Sequence, residues 1–153
     1  MKYIEAPTIF HGDETSLFLA GGISGTHNWQ QEIVRLLANT DWTILNPRRA
    51  HFPEAPEAAR AQIQWEFDHL RLATARLFWF PSPTLCPIAL FELGAWSCGN
   101  APLFVGVDPD YQRRLDVQIQ LSLARPDVTI VSTLEDLAVQ ARKFKTDLGR
   151  EAP

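Results

Sequence analysis

Five short β-branched or aromatic runs punctuate the chain: Ser16 to Ala20, Trp42 to Leu45, Arg76 to Phe80, Leu103 to Val107, and Val128 to Val131. Each ends in a Gly, Pro or polar break, as strands do. Between them lie stretches with helical spacing, near Asn28 to Leu37, Pro56 to Ala73, Pro87 to Ser97, Pro109 to Ala124, and Leu134 to Lys145. Strands that alternate with helices pair in parallel, because parallel neighbours need crossover connections and helices supply them. The pattern therefore predicts an α/β fold, a three-layer, doubly wound (flavodoxin/Rossmann-like) five-stranded parallel sheet, for which a 2-1-3-4-5 strand order suits the size. A single domain is expected over residues 1–148, with 149–153 as a loose tail.

In such sheets ligands bind beyond the carboxyl ends of the strands, at the point where strand order reverses, so the loops there are the ones to compare. The first strand runs into Gly21-Gly22-Ile23-Ser24-Gly25, ahead of a helix that Asn28 is suited to cap. Backbone N–H groups in such a loop hold an anion or hydroxyls, and a tight turn with no ligand explains the glycines as well. It is neither a Walker A sequence nor GxGxxG. The second strand ends in Asn46-Pro47-Arg48-Arg49. Asn46 either meets a ligand with its amide or serves the turn before Pro47, and of Arg48 and Arg49 one is expected to grip a ligand and the other to be surface charge.

Glu92 is the single charged residue in Pro87-Ile-Ala-Leu-Phe-Glu-Leu-Gly-Ala-Trp96. On a helix its neighbours three and four positions away are Ile88, Ala89, Ala95 and Trp96, so it joins no solvated stripe. An ionised carboxylate among apolar groups is unfavourable unless partners meet it, which leaves a reactive carboxylate or a Glu tied to backbone or Arg for structure. Attack by Glu92 needs its ionised form, and backbone N–H groups of the glycine loop are the expected donors to it. Asp68 shares a helical face with Gln64 and Arg71, while Phe67, Leu70 and Thr74 are read as the face packed on the sheet. Asp68 is then an exposed acid paired with Arg71, or the second carboxylate that glycosyl transfer uses.

Charge narrows the partners. A net charge of -4 without a basic stripe argues against binding a nucleic-acid polymer. No apolar stretch approaches a bilayer-spanning length, and no leader segment precedes the first strand, so a cytoplasmic location without membrane contact is expected. Cys86 and Cys98 form no CxxC pair and are expected to stay reduced. His11, His27, His51 and His69 are scattered without ligand spacing, so no metal and no cofactor is implied, and His69 is read as a surface residue.

Leu19-Ala-Gly-Gly-Ile-Ser24, Asn46-Pro-Arg-Arg49, Gln64-Trp-Glu-Phe-Asp68, Phe78-Trp-Phe-Pro81 and Pro87-Ile-Ala-Leu-Phe-Glu-Leu-Gly94 together resemble the nucleoside 2-deoxyribosyltransferase-like proteins, from about Leu17 through Val131. The resemblance implies that Glu92 is the nucleophile and that Asp68 contacts substrate nearby. It also implies a nucleoside or nucleotide and a nucleobase as small-molecule partners, and a homo-oligomer whose subunits complete each other's sites. Two positions depart from the family pattern. Phe18 stands where relatives carry a Tyr that hydrogen-bonds the nucleophile, and Cys86 stands where classical transferases carry an Asp that handles the base. The expected function is cleavage or transfer at an N-glycosidic bond through a covalent glycosyl-Glu92 intermediate, most simply 2-deoxyribosyl transfer between nucleobases. The alternatives are hydrolysis of a nucleoside 5′-monophosphate and a nucleotide-sensing module without chemistry. A scaffold domain, with Glu92 sealed in an interface, is the blandest.

Overall fold

The computed structural model describes residues 1–50 and 55–151, the side chain of Glu151 excepted. Its elements follow the order β1 (Lys2–Glu5), β2 (Ser16–Gly21), α1 (Trp29–Leu36), β3 (Thr43–Asn46), α2 (Pro56–Leu72), β4 (Ala75–Phe80), α3 (Pro87–Ser97), β5 (Leu103–Val107), α4 (Arg114–Ala124), β6 (Ile130–Val131) and α5 (Leu134–Glu151). All neighbouring strands pair in parallel, in the order β1-β3-β2-β4-β5-β6. Among the described residues the sheet has six strands where five were expected. The sixth is β1, which adds to the edge through Lys2 opposite Thr43 and Glu5 opposite Asn46, and only Ile4 of its four residues is buried. One buried position in four leaves no alternation to detect, and the strand exists because β3 offers it a ladder. Without β1, the remaining five strands stand in the expected 2-1-3-4-5 order.

The central strands are buried on both faces, and their alternation divides the core. Leu17, Leu19, Leu77 and Trp79 pack with Trp29, Ile33 and Leu137 of α1 and α5. Phe18, Ala20, Phe78 and Phe80 pack with Trp65, Ala89, Leu93, Val117 and Leu121 of α2, α3 and α4. This is the three-layer sandwich, with α1 and α5 on one face and α2, α3 and α4 on the other. No described helix is long and apolar enough to cross a membrane.

Local chemistry fixes the element ends. Asn28 caps α1 by accepting from the Gln31 N–H at 3.2 Å. The helix expected from Pro109 starts instead at Arg114, because Asp108 closes an Asx turn onto the Asp110 N–H and its carbonyl takes the Tyr111 N–H. α5 runs to Glu151, so Gly149 to Glu151, expected as a loose tail, continue the helix. Pro153 and its predecessor lie outside the described residues, as does His51.

Two buried polar side chains of the α2 region do structural work. Arg76 of β4 donates to the Leu70 and Arg71 carbonyls at the end of α2 and lies 4.2 Å from the centre of the Trp96 ring. His69, read from sequence as a surface residue, is 2% exposed. It stacks on Trp65, its Nδ1 pairs with the Trp65 carbonyl, and its Nε2 accepts from the Phe10 N–H at 2.9 Å. That pairing requires the neutral ring, and burial accordingly lowers its pKa. The ring anchors the segment after β1 to α2.

Candidate active site

The point where strand order reverses lies between β2 and β4, and the loops leaving β2, β3 and β4 meet there with the head of α3. A cavity of about 330 Å³ opens at this place, lined by Phe18, Gly21, Gly22, Ile23, Ser24, Pro47, Thr84, Cys86, Glu92 and Glu66 among others. A second, more polar hollow of about 410 Å³ lies against it, sharing Ile23 and Ser24 and bounded by Tyr3, Glu5, Asn46, Arg48 and Arg49. The expected site residues thus fall into two neighbouring compartments: Gly21, Gly22, Ser24, Cys86 and Glu92 in the first, and Ser24, Asn46, Arg48 and Arg49 in the second. Asp68 is in neither.

α3 begins with Pro87 at its first turn, a position where the missing N–H is no loss, and Glu92 projects from its second turn. The carboxyl is half-buried against the cavity. Burial first, and the charge of Glu66 second, push it up to about 7. Among the described residues no hydrogen bond relieves it. The glycine-loop donors expected for Glu92 do not reach it among the described residues, and Gly22 lies against the Cys86 sulfur instead. Phe18 lines the cavity with a ring that packs 6.2 Å from Trp65, so this position offers Glu92 an apolar edge.

The second carboxylate facing the cavity is Glu66, not Asp68. Asp68 is exposed and accepts from the Gln64 amide at 3.0 and 3.1 Å, while Arg71, its expected partner, lies over the Phe67 ring. The different placement is a matter of helix phase. Taking Phe67 as core rotates α2 so that Glu66 faces away, yet Phe67 is 55% exposed. The inward stripe is Gln62, Trp65, Glu66, His69 and Leu70, at spacings of three and four. Three of those five are polar, so a hydrophobicity reading looks past them. The available signal was the stripe anchored on Trp65 and Leu70. Burial raises the Glu66 pKa, and a hydrogen bond from Gln62 opposes that rise.

The glycines answer to the protein before any ligand. A Cβ at Gly21 would stand 2.2 Å from the Trp79 carbonyl oxygen, and one at Gly22 would stand 2.6 Å from the Cys86 sulfur. Their missing side chains let the end of β2 run close beside β4 and against the head of α3. Cys86 itself holds a left-handed backbone conformation at the cap of α3 (φ 48). Burial pushes its thiol up to about 11, so it meets the cavity as neutral S–H and cannot replace a carboxylate in proton transfer near pH 7. Tyr111 braces this corner by donating to the Leu85 carbonyl at 2.7 Å.

In the polar hollow the donors are largely committed. Arg48 donates to the Thr26 and His27 carbonyls and to Gln30, tying the loop before α1 to the end of β3. Asn46 accepts from the Arg48 N–H and donates to the Tyr3 hydroxyl, which is the local-turn role. Arg49 reaches Gln62 at 3.4 Å. Among the described residues no group of His, Cys, Asp and Glu is arranged to hold a metal ion.

The family described as nucleoside 2-deoxyribosyltransferase like matches residues 14–111, about two thirds of the chain. The match begins just ahead of β2 and ends at Tyr111, so it contains the glycine loop, Glu66, Cys86 and Glu92 and leaves out β1, α4, β6 and α5. No curated protein matches the chain. With the matching segment folded into the doubly wound sheet and carrying both cavity carboxyls, the chain belongs to the nucleoside 2-deoxyribosyltransferase-like family.

Proposed function

We propose that the protein cleaves the N-glycosidic bond of a (deoxy)nucleoside or nucleotide and transfers the 2-deoxyribosyl group to a second nucleobase, with Glu92 as nucleophile and Glu66 as the proton donor and acceptor. The observation that carries this reading is the pair of carboxyl groups, one from α2 and one from α3, facing a single cavity at the switch point of the sheet. In the first half-reaction a Glu92 oxygen bonds to the anomeric carbon as the bond to the base nitrogen breaks. That electron pair stays on the base, which takes the Glu66 proton. In the second, an acceptor base gives a proton to the Glu66 carboxylate as its nitrogen displaces Glu92. Two displacements at one carbon retain its configuration. Cys86, at the family's Asp position, contributes contact to the base and no proton.

Incubation with deoxynucleosides, with and without a second base, followed by chromatography, tests the reading. A new nucleoside is the expected result. Free base alone redirects the intermediate to water and makes the protein a hydrolase, and a nucleoside 5′-monophosphate as the preferred substrate identifies that variant. Binding with neither product is the outcome of a sensing module, favoured by the absence of any hydrogen-bond donor to Glu92 among the described residues.

The protein is further proposed to work as a homo-oligomer, built on its α2-α3-α4 face. That layer exposes Ile63 and Phe67 of α2, Ile88 and Phe91 of α3, and Leu115, Ile119 and Leu123 of α4, from 51% for Ile119 to 78% for Leu123. On α1 and α5 the exposed large apolar side chain among the described residues is Val139. Four of the seven, Ile63, Phe67, Ile88 and Phe91, line one groove between α2 and α3, an apolar surface of the kind that marks an interface. Light scattering after size exclusion is expected to give a multiple of the chain mass, and Phe91→Asp to reduce it to the monomer. A monomeric wild-type chain at tens of micromolar would end this proposal. Two unpaired cysteines and a nucleoside substrate are compatible with a cytoplasmic site of action.

A further inference from the structure

Gln62 lies one turn before Glu66 on α2 and is 6% exposed. Its Nε2 uses both hydrogens, donating to the Pro47 carbonyl at 2.9 Å and to Glu66 Oε1 at 2.8 Å. Its Oε1 accepts from Arg49 Nη1 at 3.4 Å. Turning the amide over would set NH₂ against a guanidinium and an oxygen against both a carbonyl and a carboxylate. Three neighbours, on the loop after β3 and on α2, therefore select one orientation.

We propose that Gln62 is the positioning residue for Glu66: held by Pro47 and Arg49, its amide keeps Glu66 Oε1 as a hydrogen-bond acceptor, so the proton destined for the leaving base is carried on Oε2. This rests on the reading of Glu66 as proton donor. A carboxylic acid has two oxygens, and a freely turning one presents its proton in either direction, which dilutes the geometry that proton transfer needs. The same N–H favours the carboxylate left behind, so Gln62 strengthens Glu66 as an acid and holds it ready to accept a proton in the second step. The charged or titratable groups about Glu66 are Glu92 from α3, the Cys86 thiol at the head of α3, Arg71 along the groove between α2 and α3, and Arg49 behind Gln62. Of these, only Arg49 acts on Glu66 through a shared hydrogen-bonding side chain.

The test compares wild type, Gln62→Met and Arg49→Met by ¹³C NMR titration of the side-chain carboxyls, with Glu66→Gln to assign the signal, and by the pH profile of kcat/KM for a deoxynucleoside. In Gln62→Met the Glu66 carboxyl is expected to titrate at higher pH, and kcat/KM to fall on the order of tenfold, with its alkaline limb moving the same way. Arg49→Met is expected to move the Glu66 signal in the same direction by less. An unmoved Glu66 titration in folded Gln62→Met overturns the inference; should that variant not fold, an unmoved signal in Arg49→Met does so. The NMR arm reads the Gln62 contact even in a protein without turnover. Failure of the catalytic reading and failure of this inference are thus separate results.

Discussion

Glu92→Gln is expected to lower turnover by about four orders of magnitude while making the folded chain more stable. The amide nearly matches the carboxyl in shape, so packing at α3 is kept, but it is too weak a nucleophile to form the glycosyl ester. The stability gain follows from the same burial that marks the site. Burial and the neighbouring Glu66 charge raise the Glu92 carboxyl from 4.5 to about 7 in the folded protein. Its contribution to stability is therefore fully present below pH 4.5 and is lost as pH rises through about 7. Above that value the charged form opposes folding by on the order of 2 kcal/mol, after discounting for the part of the group that water reaches. Urea melts of wild type and Glu92→Gln should nearly coincide at pH 4.5 and separate at pH 8, with the variant the more stable. An undiminished rate in the variant ends the nucleophile assignment, and melts that fail to separate at pH 8 contradict the burial argument.

Glu66→Gln should lower kcat/KM for ordinary deoxynucleosides by about a hundredfold to a thousandfold, and by much less for a substrate whose base leaves without protonation, such as an N7-methylated purine deoxynucleoside. Glu66 and Glu92 titrate as a pair, because each charge disfavours the other. The pair is productive with one proton when that proton sits on Glu66 and Glu92 is charged; the upward shift of Glu92 favours the opposite placement, so only a fraction of the single-proton state reacts. Below the first ionisation both groups are protonated and no nucleophile exists. Above the second, near the value of about 7 that Glu92 shows, both are charged and the base has no proton to take. Wild-type kcat/KM should therefore rise and then fall with pH. Removing Glu66 removes the alkaline limb, and the Glu92 titration moves down because one of its two causes is gone, leaving burial alone. Equal losses on both kinds of substrate would sink the acid assignment. Asp68→Asn, exposed and bound to Gln64, serves as the control and should leave the profile unchanged.

The sheet was legible because strands and helices write their periods into the chain. Leu17, Phe18, Leu19 and Ala20 form a run apolar on both faces, as a central parallel strand must, and the break at Gly21 marks its end. Glu92 was legible for the opposite reason: one charge in an apolar helix asks for either a reactive or a structural role, and it does line the cavity. β1 was not, since an edge strand with one inward residue carries no alternation. Arg48 and Asn46 were located at the rim, but their hydrogen bonds join parts of the chain that sequence does not place together, such as Thr26 and Tyr3.

Sequence alone determined the alternation of elements, the parallel sheet, and the one acid set among apolar neighbours on its helix, because each follows from local periodicity and the partition of side chains between water and core. Tertiary structure alone decided which acid stands beside it. Glu66 and Asp68 differ by two positions on one helix, about 200° around its axis. The rotation that turns Glu66 inward is set by Trp65 and Leu70 seating on the sheet and by Gln62 reaching the Pro47 carbonyl, contacts between segments whose closeness only the folded chain creates.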